Sequence, residues 1–167
     1  MNYFVLPVLV DLLAEQGITE AQLLEKTSLE GLDLSIAQLF NAEQSDEICS
    51  KAIALSGDRL LGIKLGTRLN MVSLGILGYA LMTSATVNDV LKLLVRYNRA
   101  LLPSMRIELI PSVGSVELRS AAPHLTPALE QLYKDTLYAS LVTNLKLLTG
   151  NHETKATLEL NHGQPED

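Results

Sequence analysis

The residues from Ser73 to Leu102, SLGILGYALMTSATVNDVLKLLVRYNRALL, constrain this chain more than any other stretch. They read as two helices separated by a short polar break. The first, Ser73 to Thr83, is apolar nearly all round and carries Gly75 and Gly78. It is too short to cross a bilayer, which takes about 20 apolar residues. A short helix that is apolar on every side is expected in a protein interior. Each glycine costs about 1 kcal/mol of helix stability relative to alanine. The pair makes sense where another backbone packs closely, the simpler reading, or where a ligand lies against that face. It is not a phosphate loop, because no Lys-Ser/Thr follows and no strand precedes it. The second helix opens at Thr86-Val-Asn-Asp89, which has capping-box spacing. Val90, Leu91, Leu94, Tyr97 and Leu101 then recur on one side, with Asn88, Asp89, Lys92, Arg96 and Arg99 on much of the other.

The flanking sequence is helical before this stretch and mixed after it. Helices are expected over Phe4–Gln16, with Pro7 in the first turn, and over Thr19–Lys26, with capping-box spacing to Gln22. Further helices are expected over Ile36–Ala42, Asp46–Ser56 and Arg59–Leu69, the last capped by Asp58. In Asp46–Ser56 the inward face is Ile48, Cys49, Ala52, Ile53 and Leu55. After Pro103 the period changes. Met105–Ile110 and Val113–Ser120 alternate as two antiparallel strands around Pro111-Ser112, with Glu108, Glu117 and Arg119 toward solvent. Thr126-Pro127 starts a long helix and Gly150 closes it. Lys155–His162 reads as a third strand. The fold class is therefore α+β, an N-terminal helical bundle packed on a small antiparallel sheet.

Composition narrows what such a domain does. At 167 residues and 47% hydrophobic, the chain suits one domain with a substantial core of Leu, Val, Ile and Ala. A net charge of −6 argues against gripping nucleic-acid phosphates. The two short N-terminal helices suggest a helix-turn-helix reader, but residues 1–45 hold one Lys and no Arg. A single cysteine, Cys49, excludes an internal disulfide and fits a reducing cytoplasm. Its helical face makes it a small buried hydrophobe more readily than a redox sensor. The apolar run Phe4–Val10 lacks a basic lead-in and reads as core, with no membrane anchor expected. His124, His152 and His162 fall in connections or strand ends without a zinc-ligand pattern, so no metal is expected. No nucleophile–base spacing suggests an enzyme.

Leu65-Gly66, Gly75-Ile-Leu-Gly78-Tyr79-Ala-Leu-Met-Thr-Ser84, Thr86-Val87, Leu91 and Arg96-Tyr97 resemble the sensor half of AraC-type transcription regulators, of the "arabinose-binding" subgroup that includes regulators of ornithine use. The likeness runs from Phe4-Val-Leu-Pro7 to Leu158-Glu-Leu160. It implies residues 1–167 form one effector-sensing and dimerisation domain, cut short of its usual end. DNA contact would belong to a C-terminal helix-turn-helix domain absent from this sequence. The resemblance also implies a layout similar to haem-nitric-oxide-binding domains. The Tyr-x-Ser-x-Arg string of haem-binding relatives is missing here, which argues against a haem cofactor.

The resemblance implies a small organic effector as partner, held as part of a cytoplasmic, homodimeric regulator. Such a pocket offers apolar walls and a few polar anchors. The candidates are Tyr79, Met82, Tyr97, Tyr133 and Tyr138, with Arg96 or Arg99 as a bidentate anchor if the effector carries a carboxylate. The alternative is a ligand-free dimerisation module in which the tyrosines fill core and the arginines are solvated.

Overall fold

The computed structural model describes residues 5–32 and 40–150. Among them are seven α-helices and one hairpin. The order is α1 (Leu6–Ala14), α2 (Glu20–Leu24), α3 (Ala42–Ser56), α4 (Leu61–Arg68), a 3-10 turn (Val72–Leu74), α5 (Gly75–Met82), α6 (Val87–Leu101), β1 (Arg106–Ser112), β2 (Ser115–Ala121) and α7 (Pro127–Thr149). This is the expected α+β class. The third strand, Lys155–His162, lies outside the described residues, as does most of the helix expected over Ile36–Ala42.

Capping chemistry sets most boundaries. Thr19 and Gln22 form the reciprocal box that starts α2. Asn41 and Gln44 form another, so α3 begins at Ala42 and not at Asp46. Thr86 Oγ1 accepts the Asp89 N–H at 3.2 Å, but its own hydroxyl then donates to Asp89 Oδ2 at 2.7 Å. Asp58 does not cap α4, whose N-cap is Leu60. It sits a turn earlier, accepting from Leu60 N at 2.9 Å and from Lys64 Nζ at 2.6 Å. Thr126, Pro127 and a left-handed Gly150 bound α7 as expected.

The hairpin is longer than the alternation suggests. Strand β1 runs through Pro111, which pairs with Val116, and the reversal falls at Val113–Gly114. Proline is tolerated there because a two-stranded ribbon has free edges. Glu108, Glu117 and Arg119 are exposed, while Ile107 turns inward.

The central packing is α4 against α7. A Cβ on Gly62 would lie 2.7 Å from the Leu132 carbonyl and 2.8 Å from Asp135 Cβ. One on Gly66 would overlap the Thr136 carbonyl and lie 2.8 Å from Ala139 Cβ. The two helices touch backbone to backbone, which only glycine allows. Around them Leu9, Leu13, Ile48, Cys49, Leu61 and Leu65 form the main core. Leu55 is not part of it and faces solvent. A second, smaller cluster holds Met71, Leu74, Leu81 and Val90 between the 3-10 turn, α5 and α6.

The apolar segment is not buried all round. Gly78 and Leu81 face inward, but Ile76 is 85% exposed, Tyr79 66% and Met82 47%. The 3-10 turn and a left-handed Gly75 (φ 58°) set the helix on the surface of the second cluster, with one side covered. Gly78 is the close-approach glycine: a Cβ there would overlap the Met71 carbonyl. Overpacking of this kind costs about 1–3 kcal/mol. Gly66→Ala, which meets α7 backbone, is expected to lower the unfolding free energy by about that much, read from urea titration by circular dichroism.

Candidate functional site

An apolar cavity lies where the two cores meet. It is partly open to solvent and holds about 60 Å³ of free volume. One wall is the inner face of α7, with Thr136, Leu137, Ser140, Leu141, Asn144 and Leu145. The facing wall comes from Leu69 and Met71 after α4, Leu81 of α5, and Val90 and Leu94 of α6. None of the lining residues is ionisable.

The polar groups in this wall brace α4. Residue Leu69 ends α4 in an extended conformation, so its carbonyl has no helical partner. Asn144 Nδ2 donates to it at 2.7 Å and Ser140 Oγ at 3.3 Å. Asn144 Nδ2 also donates to the Ser140 carbonyl at 2.8 Å. Asn144 Oδ1 has no partner; with Asn98 Oδ1 it is one of two such buried side-chain atoms among the described residues. A buried acceptor left unpaired costs about 1–3 kcal/mol. Thr136, Ser140 and Asn144 recur every fourth residue on the leucine face of α7, a signal that was open to sequence reasoning and did not enter the candidate set.

The seven residues named from the sequence do not converge. None lines the cavity. Tyr79 and Met82 sit on the outer side of α5. Tyr97 is 42% exposed near the end of α6, with the Arg96 guanidinium 5.8 Å from its ring centre. Arg96 and Arg99 are exposed. The tyrosine hydroxyls of α7 are used in structural bonds. Tyr138 shares a 2.9 Å bond with Ser120 Oγ of β2.

Tyr133 is buried and donates to Asp46 Oδ1 at 2.6 Å. The same carboxylate accepts from Ser104 Oγ at 2.8 and 2.7 Å. Asp46 thus joins α3, α7 and the α6–β1 connection. Cys49, one helical turn on, is fully buried. Burial pushes its thiol up from 9.0 to about 11. Burial also raises the Tyr133 hydroxyl, helped by the neighbouring Cys49 and Asp46. This environment suits an inert core thiol, not a reactive one. His124 is exposed, while His152 and His162 lie outside the described residues. Among the described residues no three His, Cys, Asp or Glu side chains form a possible metal cage. No helix among them is long and apolar enough to cross a membrane.

An apolar space faced by a few polar groups has the lining chemistry of a ligand pocket, here at a fraction of the usual volume. The family described as the arabinose-binding domain of AraC transcription regulators, N-terminal, matches residues 17–167. The chain belongs to this family. It is 31% identical over 144 residues to the ornithine utilization regulator of Pseudomonas aeruginosa, a match that covers 85% of this chain and 42% of that protein. The chain therefore spans less than half the length of that relative. Both the family and the relative are transcription regulators.

The raised Cys49 pKa makes stability fall with rising pH. Below pH 9 the thiol is protonated in both states and contributes its full share. Between pH 9 and 11 the unfolded chain releases the proton while the folded chain holds it. Two pKa units correspond to about 3 kcal/mol lost across that window. Tyr133 adds a loss of the same sign at higher pH. Urea midpoints measured from pH 8 to 11 are expected to decline less steeply in Cys49→Ala than in the parent chain.

Proposed function

We propose that this domain senses a small organic effector for an AraC-type regulator, and that the effector enters the cavity between α7 and the α5–α6 layer. The reading is supported by family membership together with one observation. The cavity lies at the junction of a rigid, glycine-packed α4–α7 body and a smaller cluster carried by α5 and α6. A ligand there touches both parts. Occupancy that favours one arrangement of the α5–α6 layer would shift the equilibrium between arrangements, provided it binds one of them more tightly. In this proposal the shift is relayed to a helix-turn-helix domain outside this sequence, in a cytoplasmic protein that reaches DNA only through that domain. The arginines stay outside the cavity, so a carboxylate anchor at Arg96 or Arg99 has no part in this site.

A second reading rests on the outer face of α5 and the 3-10 turn before it. Ile76, Tyr79 and Met82 of the helix and Val72 of the turn are exposed, Val72 at 79%. Monomeric proteins rarely leave such apolar groups grouped on the surface without use. We propose this face as the contact between two copies of the chain. That role serves a sensor and a ligand-free dimerisation module alike.

The readings separate experimentally. A cognate effector at 100 times its Kd adds about 2.7 kcal/mol of stability, visible as a raised midpoint in a thermal-shift screen of metabolites. Val90→Phe, which fills the cavity from α6, is expected to abolish that response while the chain stays folded. A screen in which no compound raises the midpoint counts against the sensor reading. Ile76→Glu is expected to convert a dimer to monomer in sedimentation velocity while leaving the ligand response intact.

A further inference from the structure

The cavity wall presents hydrogen-bond acceptors and no free donors. Thr136 Oγ1 donates to the Leu132 carbonyl at 2.7 Å. Ser140 Oγ donates to the Leu69 carbonyl at 3.3 Å. Asn144 Nδ2 is turned toward the Leu69 and Ser140 carbonyls, with Ser140 Oγ at 3.1 Å. Carbonyls only accept, so they fix which edge of the amide is nitrogen. The oxygen edge of Asn144 is left without a partner and closed off from water, on a residue that is only 4% exposed and lines the cavity, so a donor meets it as the wall side chains give way.

We infer that the cavity takes a small neutral molecule whose hydroxyl or N–H donates to Asn144 Oδ1, with its hydrocarbon part against Leu81, Leu94, Leu137 and Leu141. This rests on the sensor reading above and names the chemical class of its ligand. A ketone or ether would set acceptor against acceptor. A carboxylate or ammonium would enter a wall that holds no ionisable residue, and burying an unpaired charge is strongly unfavourable. An alcohol, amide or ring N–H satisfies the orphaned oxygen and leaves the apolar wall to the carbon skeleton. The 60 Å³ of free volume holds roughly two waters' worth of ligand before the wall moves, and the pocket is partly open to solvent. Cyclopentanol is a probe somewhat larger than that space, seated through the open side.

The test is a methyl-detected NMR titration of the 167-residue chain with cyclopentanol, cyclopentanone and cyclopentane. The expected result is saturable shifts at the cavity leucines and Val90, with cyclopentanol binding at least tenfold more tightly than cyclopentanone. In Asn144→Leu the alcohol's advantage over the ketone is expected to vanish while cyclopentane still shifts the same methyls. If that variant does not fold, the alcohol-to-ketone ratio in the parent chain decides by itself. Equal affinity for alcohol and ketone overturns the role of Asn144 and leaves the cavity as a site. Absence of saturable shifts from all three compounds overturns the cavity reading itself.

Discussion

Helix α4 can lie on α7 at backbone distance because Gly62 and Gly66 carry no side chain where the Leu132 and Thr136 carbonyls come closest. The rest of the domain is arranged around that contact. It brings the C-terminal end of α4 over Ser140 and Asn144, which take up the Leu69 carbonyl. The chain then leaves α4 at a fixed point and turns through Met71 into α5, where Gly78 in turn receives the Met71 carbonyl. Close approach at one place is relayed to the next by backbone atoms, which have little freedom to yield. The cavity is what remains where the second cluster meets this rigid pair without fully interlocking with it.

Two polar devices hold one face of α7 at two levels along its length. Asp46 gathers Tyr133 and Ser104, fixing α7 to α3 and to the chain entering the hairpin. Ser140 and Asn144 fix it to the end of α4. They differ in completeness. The Asp46 oxygens accept three bonds from two hydroxyls, whereas Asn144 uses only its nitrogen edge. Fully satisfied buried polar groups specify structure. A half-used one beside a space lined by leucine has capacity left for another molecule.

The long helix and the hairpin were legible in the sequence because their signals are local. Thr126-Pro127 and Gly150 bracket α7, and alternation marks the two strands, although the reversal falls at Val113-Gly114 and not at Pro111-Ser112. The start of α3 was readable too, from Asn41 and Gln44, and was placed four residues late because the apolar period begins only at Ile48. The orientation of α5 was not legible. A segment apolar on every side says that it must be partly covered, but not which side; the covered side is the one where Gly78 meets the Met71 carbonyl. The tyrosines show the same limit. Tyr133 and Tyr79 are alike in sequence, and only the partners across the fold make one a buried donor to Asp46 and the other a surface side chain. The cavity was not legible either, because its wall is built mainly from ordinary leucines whose convergence is a property of the packing.

No described residue that lines the cavity is ionisable, which bears on the proposed sensing role. On the proposed reading, no charged wall side chain would pull a ligand in over the last few ångströms, and capture would rest on partitioning out of water. Shifts in acidity or ionic strength would leave the chemistry of these side chains unaltered. On the proposed reading, occupancy would follow how much of a compound is present, with little interference from the electrolyte around it.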